Sequence, residues 1–136
     1  MRFPTKVAVV VREDLAVWQK LNVVAFLTSG VAHATDEIMG EPYADGSGNA
    51  YLSMIREPIM VYASDAAGLA RVHERALRRT LATAIYTEEL FATGNDDDNR
   101  AAVRAVPAEK LAFVGVAVYG PRSEVDKVVK GLTLHA

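Results

Sequence analysis

Charged residues interrupt the apolar N-terminal part of the sequence at two places that could support chemistry. Arg12, Glu13 and Asp14 directly follow a run of valines, and Lys20 lies a few positions later among valine, tryptophan, leucine and phenylalanine residues. A lysine held near carboxylates in a pocket can stabilise a developing oxyanion or bind a ligand carboxylate or phosphate. We expect Asp14 and Glu88 to hold Lys20, so these three residues form the candidate catalytic set.

Lys20 also has an interpretation that requires no chemistry. On a helix it lies on the same side as Val24 and Leu27, so its aliphatic stem can be buried. Its ammonium group can then reach back to Asp14 or Glu13 as a snorkelling lysine that contributes only to folding. The two interpretations differ in whether an open cavity surrounds the charged groups, and the sequence leaves both open.

Alternating hydrophobic periods indicate the elements that position these residues. A continuous β-branched run predicts a strand over residues 6–12 that is covered on both faces. Asp14 marks the start of a helix over residues 15–29, which is apolar on nearly every side and is therefore expected to be largely buried, with Gly30 as its stop. The same reasoning predicts further strands over residues 58–63, 81–87 and 111–119, and further helices over residues 66–80 and 123–130.

Turn-forming residues predict a hairpin-like excursion over residues 40–55. The segment carries more apolar and aromatic surface than the loop of a monomer would expose, which favours a homodimer. The side chains that provide this surface are Tyr43, Tyr51, Leu52, Met54 and Ile55.

Strands that alternate with helices predict an α/β fold. Layer packing favours a three-layer α/β/α arrangement around a central mixed, mostly parallel four-stranded sheet. Ligand sites in such sheets form at the carboxyl ends of the strands. The side chains that we expect to bind a ligand at these ends are Arg12, Tyr62, Ser64 and Tyr86.

Length and composition favour one ordinary domain spanning residues 1–136, since 51% of the residues are hydrophobic and can form a single core. A formal net charge of −2 gives no overall positive field that would gather nucleic-acid phosphates. No stretch typical of a signal peptide or a membrane span occurs, so we expect a soluble, cytoplasmic protein without membrane contact.

Motifs for metals and cofactors find no support in the sequence. Asp45, Ser47 and Asn49 have the spacing of the first half of a calcium loop, but Arg56 stands where a bidentate glutamate is needed. The chain has no cysteine, and its three histidines have no suitably spaced partners. No glycine-rich dinucleotide or phosphate loop occurs, so we expect neither a metal nor a cofactor.

Two segments, VVVREDL at residues 9–15 and FVGVAVYGPRSEVDKVVKGLTL at residues 113–134, carry a family resemblance. They resemble the opening motif and the closing strand, Gly-Pro turn and final segment of the type two (archaeal and eukaryotic-type) peptidyl-tRNA hydrolases. The order of elements between them also agrees, so the resemblance implies the fold of that family. The runs REDLAVWQKLN and GEPYADGSGNAYL resemble still more closely a bacterial family named domain of unknown function 2000, which shares that fold.

The resemblance implies roles for individual residues. Arg12 and Asp14 match the first hydrolase motif, and Lys20 stands at the position of the catalytic-site lysine, with one residue fewer before it. Leu27 falls where the hydrolases have a histidine. Glu88 stands where they have the aspartate of an Asp-Ala-Gly-Arg-Thr segment, whose glycine and arginine are absent here.

Two functions from different classes follow. The first is a hydrolase-like domain acting on an ester or amide, in which Lys20 stabilises charge and Asp14 or Glu88 positions water. Efficient cleavage of peptidyl-tRNA, and tRNA binding itself, are not expected because few basic residues are available for phosphates. The alternative is a non-catalytic module that binds a small anionic molecule or forms oligomers, and the sequence does not name the substrate or ligand.

Overall fold

Four helices and a mixed five-stranded sheet form the α/β fold of the computed structural model, which describes residues 2–136. The strands in chain order are β1 (Thr5–Arg12), β2 (Tyr43–Ala44), β3 (Ala50–Tyr51), β4 (Ile59–Ser64), β5 (Ala82–Thr87), β6 (Phe113–Pro121) and β7 (Thr133–Leu134). The helices are α1 (Val17–Ala34), α2 (Ala66–Arg78), α3 (Asp96–Arg104) and α4 (Arg122–Val128). The α/β class predicted from the alternating periods is confirmed.

The sheet has the strand order β5-β6-β1-β4-β7, which corrects the expected sheet in two respects. It has five strands rather than four, because the two-residue β7 pairs with β4 and is too short to show a hydrophobic period. Within residues 2–136, β1 and β4 are the only neighbouring pair in this sheet that runs parallel, so the sheet is not mostly parallel by pairing. A hydrophobic period predicts a strand but not its direction, which depends on where the connections lead.

The central strand β1 is buried on both sides, as its β-branched sequence predicts. Because side chains alternate along a strand, its residues contribute to two different buried clusters. One cluster joins Val7, Val9 and Val11 to the α1 residues Val23, Leu27 and Val31. The other joins Ala8 and Val10 to residues of α2 and α4, among them Leu69, Val72, Ala76, Val125 and Val128.

Helix α1 differs from its expected form in length and in burial. It begins at Val17 rather than near Asp14, with the Ala16 N–H donating to the Gln19 side chain over 3.0 Å, and it continues through Gly30 to Ala34. It is also not largely buried, because its apolar residues extend beyond the face that contacts the sheet. Its buried residues are Val23, Leu27 and Val31, whereas Val17, Trp18, Leu21 and Phe26 are exposed.

The predicted hairpin-like excursion is confirmed as β2 and β3, which pair antiparallel as a sheet of their own. The Asp45 carboxylate organises its turn by accepting hydrogen bonds from the backbone N–H groups of Ser47 and Asn49 and from the Tyr51 hydroxyl. The bonds from Tyr51 and Asn49 hold the pKa of Asp45 far below its usual range. The turn is therefore fixed by local hydrogen bonds although all of its residues are exposed.

Candidate functional site

Arg12, Asp14 and Glu88 meet at the carboxyl ends of β1 and β5. The Arg12 guanidinium donates through Nε to Asp14 Oδ1 over 2.6 Å and through Nη1 to Glu88 Oε1 over 2.5 Å. These three residues line a cavity of about 280 Å³ together with Glu13, Asp65 and Ala66. We call this space the charged cavity, and it brings together two residues, Arg12 and Glu88, that are 76 positions apart in the sequence.

Carboxylates outnumber cations in the lining of the charged cavity. Burial favours a lower pKa for Arg12, but the hydrogen bonds to Glu88 and Asp14 outweigh it and raise the pKa above its ordinary value. One guanidinium thus faces two carboxylates, and two more carboxylates, Glu13 and Asp65, also line the cavity. The excess of negative charge makes this cavity a poor receptor for an anionic ligand.

Ser64 and Tyr62, both predicted ligand-binding residues, are buried at β4. Ser64 lies opposite Arg12 in the sheet register and packs so closely against Gly68 that a Cβ there would lie 1.8 Å from the Ser64 hydroxyl. Tyr62 belongs to the buried cluster shared with α2 and α4, and the Lys6 ammonium lies 5.7 Å from its ring centre. Neither side chain is among those that line the charged cavity.

Lys20 lies apart from the carboxylates that were expected to hold it. Its Nζ lies 3.1 Å from Nε2 of His135, in the chain segment that follows β7. Within residues 2–136 no ion pair joins Lys20 to a carboxylate, and Arg12 is the cation between Asp14 and Glu88. The structure therefore brings Asp14 and Glu88 together without Lys20.

Tyr86, the remaining predicted ligand-binding residue, lines a larger space beside the edge strand β5. A cavity of about 600 Å³ extends between α1, β5 and α3, and a cavity of about 440 Å³ continues from it toward the start of α1. The two share lining residues and form one space, which we call the aromatic groove. The shared residues are Phe26, Tyr86, Leu90, Asp96 and Asn99.

Four aromatic rings form the apolar surface of the groove. Tyr86 lies 5.2 Å from Phe91 and 6.1 Å from Phe26 between ring centres, and Phe91 meets Trp18 edge-on at 6.2 Å. Burial raises the pKa of Tyr86, so its hydroxyl stays protonated and can donate a hydrogen bond at neutral pH. Aromatic residues with a few polar groups are the usual lining of small-molecule sites.

The polar side of the groove comes from α3 and carries one uncompensated cation. Arg100 forms ion pairs with Asp96 and Asp97, which neutralise it. Arg104, one helical turn further on, also lines the groove and has no carboxylate within ion-pair distance among residues 2–136. Asn95 begins α3 by accepting a hydrogen bond from the Asp98 N–H, which fixes the helix beside the groove.

Most residues of the groove were missed because no sequence motif marks them. Trp18 and Phe26 were assigned to a buried helix, and Phe91 lies in a short 3-10 helix (Glu88–Ala92) that has no detectable period. One available signal was the helix α1 itself. The apolar residues of α1 occupy more of the helix circumference than one sheet can cover. This pattern predicts that some of them are exposed.

Two further observations concern metals and membranes. No group of three or more histidine, aspartate or glutamate side chains in residues 2–136 is placed to hold a metal ion. In the same part of the chain, no helix is long and apolar enough to cross a membrane. The cytoplasmic location expected from the sequence remains a prediction.

Comparison with known proteins places the chain in a family. The sequence model of the family described as Protein of unknown function (DUF2000) matches residues 5–136. The chain belongs to this family. It is 49% identical to a protein of unknown function from Agrobacterium tumefaciens strain C58 whose structure is solved, with a TM-score of 0.95 over 99% of this chain and 100% of that chain. No curated protein sequence matches the chain.

Proposed function

We propose that this DUF2000 protein is a ligand-binding module whose binding site is the aromatic groove. The observation that carries this proposal is the groove itself, in which a cavity of about 600 Å³ lined by Phe26 and Tyr86 adjoins a cavity of about 440 Å³ that is also lined by Trp18 and Phe91. Sites for small molecules usually have volumes of about 300 to 1,000 Å³ and a mainly apolar, aromatic lining with few polar groups. The charged cavity has less than half of the 600 Å³ volume, and its one cation, Arg12, is already paired with Asp14 and Glu88.

The lining of the groove defines the chemistry of the ligand. An apolar or aromatic body can contact Trp18, Phe26, Tyr86 and Phe91, while a carboxylate or another anionic group can pair with Arg104. The anionic small molecule expected from the sequence is therefore retained as a ligand. Its proposed location moves from the charged cavity to the groove.

The test uses the fluorescent probe 8-anilinonaphthalene-1-sulfonate, which combines an aromatic body with an anionic group. Trp18 is the single tryptophan of the chain and lies in the groove, so its emission reports binding directly. Ala84→Leu places a larger side chain at the floor of the groove, and we expect it to weaken probe binding about tenfold. Ala70→Leu is the matched control, because Ala70 lines a separate cavity between α2 and residues 108–113.

The charge of the groove is tested with a second pair of variants. Arg104→Ala should weaken binding of the sulfonate probe roughly threefold, since an exposed ion pair contributes about 0.2 to 1 kcal/mol. Arg71→Ala removes an exposed arginine of α2 that lies outside the groove and should leave the affinity unchanged. Equal binding by the parent protein and Ala84→Leu would refute the proposal.

Ester or amide hydrolysis at the charged cavity is a second candidate function. The meeting of Asp14 and Glu88 around Arg12 favours it, because paired carboxylates can position a water molecule. Lys20 would then stabilise the charge of a substrate that reaches it from this cavity. The test is hydrolysis of p-nitrophenyl acetate. Loss of this activity in both Glu88→Gln and Lys20→Ala would support the function, provided that Lys130→Ala, a control at an exposed lysine, keeps it.

The relation to peptidyl-tRNA hydrolases is proposed at the level of fold. We propose a single domain over residues 1–136 with three layers, in which α1 covers one side of the sheet and α2 and α4 cover the other. The two buried clusters that share β1 support this arrangement. We do not expect efficient peptidyl-tRNA cleavage, because the histidine and arginine of the hydrolase motifs are absent and α3 begins with three aspartates. Turnover of peptidyl-tRNA that Lys20→Ala abolishes would contradict this expectation.

A homodimer is proposed for the assembly. The exposed hairpin side chains Tyr43, Tyr51, Leu52 and Met54 support it, with Leu52 the most exposed at 89%. Leu52→Glu should then convert the dimer to a monomer in light scattering, while Leu77→Glu, on an exposed position of α2, should not. A strictly monomeric mass for the parent protein at high concentration would exclude the dimer.

A further inference from the structure

Strand β5 is an edge of the sheet that lacks the usual protection against pairing. It has six residues, ATAIYT, and pairs along one side with β6. Along the other side, no backbone partner for it occurs within residues 2–136. Natural edge strands are commonly very short or carry lysine, proline or inward-pointing charge, because an open edge invites another strand. The opposite edge, β7, has only two residues, whereas β5 contains neither charge nor proline.

The aromatic groove follows this open edge. A further cavity of about 310 Å³ adjoins the groove at Gly30 and Ala84 and extends it to Ala82, the first residue of β5. The three cavities together are lined by residues 82–86 of β5, by residues of α1 and, along part of this length, by residues of α3. Most of the lining at the Ala82 end is glycine or alanine, which leaves room for a polypeptide backbone.

From this geometry we propose that the groove binds an extended peptide, which pairs with β5 as an added strand. This inference rests on the proposed ligand-binding function and names the class of ligand. Along its open side, β5 presents backbone N–H and C=O groups whose spacing matches the donors and acceptors of an extended peptide. An apolar side chain of the peptide contacts the aromatic rings, and a carboxylate of the peptide pairs with Arg104.

Charge favours a peptide over a second copy of the chain. Among residues 2–136, Arg104 forms no ion pair with a carboxylate, so an acidic group on the peptide complements it. Residues of α1 and α3 line the groove together with β5. In a dimer formed through β5 of two copies, the added strand ATAIYT would itself offer Arg104 no carboxylate.

The first experiment selects peptides from a displayed library of random heptapeptides on the immobilised full-length chain, with elution by the anilinonaphthalene probe. We expect enriched peptides that contain an apolar residue and a carboxylate, and that bind the Ala84→Leu variant at least tenfold more weakly than the parent. Arg104→Ala should reduce their affinity about threefold while Arg71→Ala leaves it unchanged. No enrichment, together with normal binding of the probe, would refute the peptide inference and leave the ligand-binding function standing.

The second experiment tests the backbone pairing itself. Methylation of the selected peptide at single backbone nitrogens should weaken binding about tenfold at alternate positions and less than about twofold between them, because only alternate N–H groups face β5. Hydrogen exchange of the bound protein should slow at every second amide of β5. Uniform effects of methylation, or unchanged exchange, would overturn strand addition. Slow, concentration-dependent exchange at β5 in the free protein with a dimeric mass would show that a second copy occupies the edge instead.

Discussion

The charged cavity and the aromatic groove both include residues of segment 86–90, yet they differ in what their side chains still have available. In the charged cavity, Arg12 is held by Asp14 and Glu88, to which its Nε and Nη1 groups donate hydrogen bonds. In the groove, Arg104 is unpaired within residues 2–136, the aromatic rings face open space and the edge of β5 lacks a strand. Residues that match a hydrolase motif thus pair with one another here, while residues without a motif line the larger cavity.

The difference also separates two kinds of stabilising contact. The charged cavity depends on hydrogen bonds between partly exposed groups, which water and salt weaken. The shape of the groove depends on how α1 packs against β6 and β5, and close side-chain packing determines that position. The four substitutions below test this contrast, from the largest expected change in stability to the smallest.

Disturbing the packing of α1 against the sheet should change stability most. A Cβ at Gly115 of β6 would lie 2.5 Å from the Val23 side chain and 2.8 Å from that of Leu27. Gly115→Ala should therefore lower the free energy of unfolding by about 2 kcal/mol, because overpacking forces α1 to shift. Urea denaturation measures the change, and Gly94→Ala, where a Cβ would meet nothing within 4 Å, serves as the control. Equal urea midpoints for the two variants would show that α1 does not pack against Gly115 as closely as these distances indicate.

Arg12→Met tests the charged cavity by leaving Asp14 and Glu88 without their cation. The Arg12 side chain is 18% exposed but its partners are 68% and 52% exposed, so water can solvate the freed carboxylates. We expect a loss of about 1 kcal/mol, below the cost of breaking a fully buried ion pair. The loss should shrink in high salt. A loss of more than about 3 kcal/mol would show that the cavity is closed to solvent.

Gly30→Ala should have a smaller effect of opposite sign. Gly30 lies within α1, and a Cβ there would meet the Ala84 side chain at an ordinary 3.6 Å. Since alanine favours a helix over glycine by about 0.8 to 1 kcal/mol, the free energy of unfolding should rise by a little less than that amount. The added methyl group also narrows the groove, so thermal stability should increase while affinity for the naphthalene probe falls. A decrease in stability would indicate that α1 and β5 are closer than 3.6 Å implies.

Lys20→Met should change stability least. Lys20 contacts His135 and pairs with no carboxylate within residues 2–136, so methionine keeps the stem without leaving a charge unpaired. The urea midpoint should correspond to a change within about 0.5 kcal/mol. A destabilisation of about 2 kcal/mol or more would instead indicate that Lys20 is buried with Asp14 and Glu88.

Much of the fold was predictable because hydrophobic periods are local. The β-branched run of β1 and the turn residues around Asp45 each determine a local structure that the chain adopts. The predictions are wrong where one local sequence pattern is compatible with two structures. An apolar helix such as α1 can be buried or can expose an apolar face, and only the position of its neighbours decides between them.

The candidate site was predictable in part for the same reason. Arg12 and Asp14 are neighbours in sequence, and the rule that strands end at a common edge brought Glu88 into the same set. That rule does not say which cation reaches the carboxylates, and the structure places Arg12 there instead of Lys20. Side-chain reach and rotamer set such a choice over a few ångströms, a scale that sequence spacing does not resolve.

The sequence by itself determined the α/β class, the buried central strand and the hairpin, because periodicity and turn chemistry act over a few residues. Tertiary structure alone decided the sheet order, the open edge at β5 and the groove between α1 and α3. These features depend on contacts between residues far apart in the chain, such as Phe26 with Tyr86. A cavity is a space that elements leave between them, so it has no local sequence signal of its own.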